Sequence, residues 1–92
     1  MKKVHLIISG DVHGVGFRLF IKRQAENLGV TGWVRNRRDG AVEAVAEGDT
    51  QTLETLIKLC RQGPEVAGVE DVQDEWSEAT GEFPDFIIED TG

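Results

Sequence analysis

The sequence of 92 residues predicts an α+β sandwich of element order βαββαβ, with a short extra strand at the C-terminus. Two stretches repeat apolar residues at helical spacing. Several shorter ones are β-branched and of strand length. Gly, Asp-Gly and Gly-Pro punctuate the boundaries between them. Two amphipathic helices bury their apolar stripes most simply on one face of an antiparallel sheet.

Val4 to Ile8 is short, apolar and β-branched, and reads as a buried strand. Gly10 to Gly16 holds three glycines in seven residues and reads as a loop. From Arg18 to Leu28, Ile21, Ala25 and Leu28 fall at i, i+4 and i+7, with Lys22, Arg23 and Glu26 turned outward; Gly29 stops the helix. Val30 to Asn36 is a second strand, and Asp39-Gly40 marks a hairpin into a return strand, Ala41 to Glu47. On that strand Val42, Ala44 and Ala46 share one face, and Glu43, Val45 and Glu47 the other. Asp49 or Thr50 caps a second helix in which Leu53, Leu56, Ile57 and Cys60 form the apolar stripe, ended by Gln62-Gly63-Pro64. Val69 to Trp76 reads as a fourth strand. Phe83 to Glu89, interrupted by Pro84, reads as a fifth at a sheet edge.

Composition excludes several classes. With 39 % apolar and 29 % charged residues, the chain is neither disordered, collagen-like nor a coiled coil. No apolar run approaches the ~18 residues of a membrane helix. The N-terminus meets Asp11 without a small-residue cleavage site and reads as a strand, not a signal peptide. One cysteine makes no internal disulfide and leaves a Cys-based zinc site short of ligands, so a reducing, cytoplasmic setting is expected. The net charge of −7 is unevenly placed: residues 1–38 carry +6 and residues 39–92 carry −13. An acidic chain with a basic first third suggests a local anion site and argues against a broad nucleic-acid footprint.

The stretch Gly10-Asp11-Val12-His13-Gly14-Val15-Gly16-Phe17-Arg18 joins a buried strand to a helix start. Glycines let successive backbone N–H groups converge, the helix N-terminus adds positive potential, and Arg18 can fork two donors onto an oxyanion. The loop is a phosphate or carboxylate cradle in kind, or a tight turn whose glycines serve geometry alone. A Walker loop is excluded because Phe17 and Arg18 follow Gly16. The dinucleotide fingerprint is excluded because Leu19 stands where its third glycine belongs. Asn36 ends a strand and can donate and accept at once, which suits holding a water; a turn-favouring Asn explains it equally simply. Arg35, Arg37 and Arg38 form a basic corner, solvated or anion-attracting. Cys60 belongs with the core, and Trp33 and Trp76 with packing. His5 and His13, eight apart, make a poor metal pair, and the carboxylates after residue 64 form a solvated face.

Taken together, these segments resemble the acylphosphatase family. Its first signature, G-x-V-Q-G-V-x-F/Y-R, is matched by Gly10, Val12, Gly14, Val15, Phe17 and Arg18, with His13 where Gln is usual. Its second is matched by Gly32, Trp33, Val34, Asn36, Gly40, Val42 and Gly48 at the same spacing. Gly63-Pro64, Ala67 and Val69 are similar to the family's link into its fourth strand, so the resemblance spans nearly the whole chain. It implies a ferredoxin-like fold in a single domain, 1–92, and a metal-free hydrolase without cofactor that splits small acyl phosphates. It also implies that Arg18 and the backbone N–H groups of Val12, His13, Gly14, Val15, Gly16 and Phe17 bind the phosphoryl group, and that Asn36 orients the attacking water. A monomer with inorganic phosphate as product, and no nucleic-acid or membrane partner, is expected. If the His13 imidazole faces the phosphate, activity should change near pH 6–7; if only its backbone does, the effect should be small. The same architecture also serves two other kinds of protein. An RNA-recognition sheet needs aromatics on its central strands, where this one offers Glu43, Val45 and Glu47. A carrier domain within a larger maturation enzyme would bind acyl phosphate without being a stand-alone catalyst.

Overall fold

A computed structural model describes residues 1–92. In chain order the elements are β1 (Lys2–Asp11), α1 (Phe17–Leu28), β2 (Thr31–Asn36), β3 (Val42–Gly48), α2 (Thr50–Gln62), β4 (Gly68–Glu78) and β5 (Phe86–Ile88). The strands form one sheet in the order β4-β1-β3-β2-β5. The β1–β3, β1–β4 and β2–β3 pairs are antiparallel, as the sequence predicts. The sheet as a whole is mixed, because β5 runs parallel to β2. The cause is topological: the chain leaves β4 at the opposite edge and returns across the sheet before it pairs.

Strand alternation explains the core. Val4, Leu6 and Ile8 of β1 lie opposite Ala46, Ala44 and Val42 of β3, and all six are fully buried. From the other side, Val34 of β2 pairs with Ala44. The helices cover this face with Phe17, Ile21 and Ala25 from α1 and Leu53, Leu56, Ile57 and Cys60 from α2. Burial pushes the Cys60 thiol up to about 12, so it packs as a small apolar group. Gly29 closes α1 in the left-handed conformation, its N–H donating to the Ala25 and Glu26 carbonyls. Asp49 stands at the N-cap of α2 without a side-chain cap bond.

The two tryptophans do not join this core. Trp33 lies on the open face beneath the Arg35 guanidinium, which is 5.0 Å from its ring centre. Trp76 is 37 % exposed, its indole N–H donating to Asp74. The acidic side chains of residues 65–78 are exposed, as expected. Glu43 and Glu47, on the open face of β3, are instead almost fully buried.

One irregularity aims the chain at the site. The β1–β4 register shifts between Ser9 and Gly10. A Cβ at Gly10 would sit 2.2 Å from the Gly68 carbonyl oxygen, so only glycine lets the two backbones cross there. Past this bulge the chain turns into residues 12–16.

Candidate active site

The loop between β1 and α1 is shaped by Gly14 and Gly16, at φ 70° and 75°. Nothing lies within 4 Å of a Cβ at either position, so conformation rather than crowding calls for glycine. Gly16 is also the N-cap of α1 and offers no side chain to cap it. The first bond of the helix runs from the Phe20 N–H to the Gly16 carbonyl at 3.0 Å. None of the backbone N–H groups of residues 12–19 donates to another group of the chain. A row of free donors at a helix N-terminus is an anion cradle by construction.

The cradle opens on a cleft of about 220 Å³ lined by Val12, Gly14, Gly16, Phe17, Arg18, Leu19, Asn36 and Ile88. Arg18 stands half-buried at the helix start with no carboxylate paired to it. Its charge is thus free for a ligand, and Phe17 beside it is locked into the core. Asn36 enters from the end of β2. Its backbone is fixed by pairing with Val42 and by the Gly92 N–H, which donates to its carbonyl at 3.0 Å. Its side-chain amide makes no bond within the chain. No carboxylate lines the cleft, although the chain is acidic overall.

Of the residues singled out in the sequence, Val12, Gly14, Gly16, Phe17, Arg18 and Asn36 meet here. The side chains of His13 and Val15 do not. The His13 imidazole turns away, its Nε2 bonded to the Ala41 carbonyl at 2.8 Å, and Val15 packs against the core. The basic corner is dispersed as well. Arg35 pairs with Glu43, Arg37 with Asp39, and the Arg38 N–H donates to the Gly92 carbonyl. Two cleft residues escaped the sequence reading. Leu19 is an exposed apolar residue one turn into α1; Ile88 is an apolar residue in an acidic tail. Neither carried a local signal in the sequence, because α1 and β5 meet only in the folded chain.

Fold and cleft together define a ferredoxin-like α+β domain in which a glycine loop with free N–H groups, an unpaired arginine and an unbonded amide share one cleft. The acylphosphatase family model matches residues 4–88. An acylphosphatase of Pelotomaculum thermopropionicum is 52 % identical over 94 % of both chains. The acylphosphatase structure from Bacillus subtilis superposes with a TM-score of 0.92 at 34 % identity, over 96 % of this chain and 98 % of that one. A full-length HypF, in its phosphate- and nucleotide-bound form, matches 99 % of this chain with 12 % of its own length, at a TM-score of 0.86 and 26 % identity. The chain belongs to the acylphosphatase family, and with it to the hydrolases that act on acyl phosphates.

Proposed function

We propose that the chain hydrolyses the carboxyl–phosphate bond of small acyl phosphates to a carboxylate and inorganic phosphate. Arg18 and the backbone N–H groups of Val12, His13, Gly14, Val15, Gly16 and Phe17 bind the phosphoryl group, and Asn36 orients the attacking water. The observation that carries this reading is the row of unpaired N–H donors converging with an unpaired guanidinium in one cleft.

The chemistry matches so sparse a site. Water oxygen bonds to phosphorus as the bond from phosphorus to the acyl oxygen breaks, and that electron pair leaves on the carboxylate. A carboxylate is a weak base and needs no proton donor. Negative charge on the equatorial oxygens is met by donors already in place. The Asn36 side-chain oxygen accepts a hydrogen bond from the water, which leaves a lone pair of the water oxygen aimed at phosphorus. The water proton passes to a phosphate oxygen, since no carboxylate or imidazole reaches the cleft. No step calls for a metal. The enzyme acts as a monomer in the cytoplasm, without nucleic acid or membrane.

The test is release of benzoate and phosphate from benzoyl phosphate, followed by absorbance in EDTA, with Arg18→Ala alongside. We expect turnover in the wild type and a loss of about 10³-fold in a folded variant, the scale on which a positioned oxyanion donor acts. Absence of turnover in the folded wild type would make the cradle a binding site only. The reading as a carrier domain would then lead.

A further inference from the structure

The exposed stripe of α1 continues the cleft. Gly16, Leu19, Phe20, Arg23 and Gln24 follow the i, i+3, i+4, i+7, i+8 spacing of one helical face, and with Pro64 they line a second groove of about 380 Å³. Gly16 and Leu19 line both spaces; Asn36 and Ile88 line only the first. Leu19 is 45 % exposed and Phe20 half-buried, so the groove floor is apolar. Arg23 is exposed and has no acidic partner. No carboxylate lines the groove, whereas Glu54 and Asp74, Asp39, or Asp74 and Glu75 stand in the pockets elsewhere on the surface.

In-line displacement places the entering water and the departing oxygen on opposite sides of phosphorus. Asn36 lines only the cleft, whereas Gly16 and Leu19 are shared with the groove, so an acyl oxygen departing away from Asn36 has this groove as its apolar, carboxylate-free outlet. We infer that the groove receives the acyl group, its apolar part on Leu19 and Phe20 and a second, distal carboxylate on Arg23, so that acyl phosphates of dicarboxylic acids are favoured substrates. The inference rests on the hydrolytic reading above and on Asn36 marking the water side. Leu19 and Arg23 are one turn apart, about 6 Å along the axis, a separation that a benzene ring and its para substituents span.

The experiment compares kcat/KM for benzoyl phosphate and 4-carboxybenzoyl phosphate in wild type, Arg23→Gln, Arg23→Glu and, as a remote charge control, Arg61→Gln. Both Arg23 variants should keep benzoyl phosphate turnover within about twofold of wild type. Relative to that substrate, the carboxylated one should lose about fivefold in Arg23→Gln and about tenfold or more in Arg23→Glu, through KM, the scale of one solvent-exposed ion pair. The preference should shrink in high salt and be unchanged in Arg61→Gln. An equal substrate ratio in all four proteins would overturn the inference while leaving the hydrolytic reading intact. Failure of the wild type to turn over either substrate would overturn both.

Discussion

His5 Nε2 lies 2.6 Å from Glu43 Oε2, so that the imidazole of β1 and the carboxylate of β3 meet on the sheet face opposite the helices. Arg35 of β2 completes the cluster, its Nε donating to the other carboxylate oxygen at 2.8 Å. Glu43 is only 8 % exposed. Burial pushes its carboxyl up, but the hydrogen bonds and charges of His5 and Arg35 outweigh that and hold it below its usual 4.5.

The sign of the pH effect follows. A carboxyl held lower in the folded than in the unfolded chain stabilises the fold above the unfolded value of 4.5, and that contribution is lost as pH falls through the folded value. Glu43→Gln should therefore reduce the fall in stability below about pH 4.5, read as a shallower slope of urea midpoint against pH. Glu47, also held low by Thr80 and Gly81 against its burial, leaves part of the slope in place. A slope identical to wild type would remove Glu43 from the acid response.

Asn36 is expected to act on rate rather than on affinity. Its backbone is clamped by Val42 and Gly92, so truncating the side chain removes the amide and leaves β2 intact. Asn36→Ala should lower kcat by about 10²-fold while the inhibition constant of inorganic phosphate stays within about threefold. Loss of phosphate binding in proportion to rate would make Asn36 a binding residue instead.

His13 departs from the family's usual Gln, and its ring bonds to Ala41 outside the cleft. His13→Gln should leave kcat/KM within about twofold across the range where histidine ordinarily titrates, about pH 5.5 to 7.5. Loss in the variant of an inflection that the wild type shows would bring the imidazole into the site.

Local patterning made both helices and the β2–β3 hairpin legible, because apolar spacing and Asp39-Gly40 are local signals. The strand ends were not. β1 runs from Lys2 to Asp11, beyond the apolar Val4–Ile8, because Lys2 and Lys3 pair with Glu78 and Ser77 of a strand more than seventy residues away. Sheet order and the parallel seating of β5 are likewise set by long-range pairing. Most of the cleft lining could be read because Arg18 and Asn36 lie within compact signatures that match the family. Leu19 and Ile88 could not, since α1 and β5 converge only in the folded chain.

The two signature glycines Gly32 and Gly14 should fail in opposite ways. Gly32 has φ 143°, and a Cβ there would stand 1.9 Å from the Val45 carbonyl oxygen, inside the β2–β3 ladder. Both backbones are fixed on the sheet, so Gly32→Ala combines strain with a clash and should cost about 3 kcal/mol. Gly14 has φ 70° with nothing near its Cβ, so Gly14→Ala should cost only about 1 kcal/mol. The same substitution rotates the N–H groups of the cradle and should lower kcat/KM by about tenfold or more. Urea denaturation and benzoyl phosphate turnover, measured on both variants, separate the two effects. A Gly14→Ala enzyme with normal turnover would show that the loop conformation is dispensable for binding the phosphoryl group, and a Gly32→Ala chain of wild-type stability would show that the sheet can open to admit a methyl group.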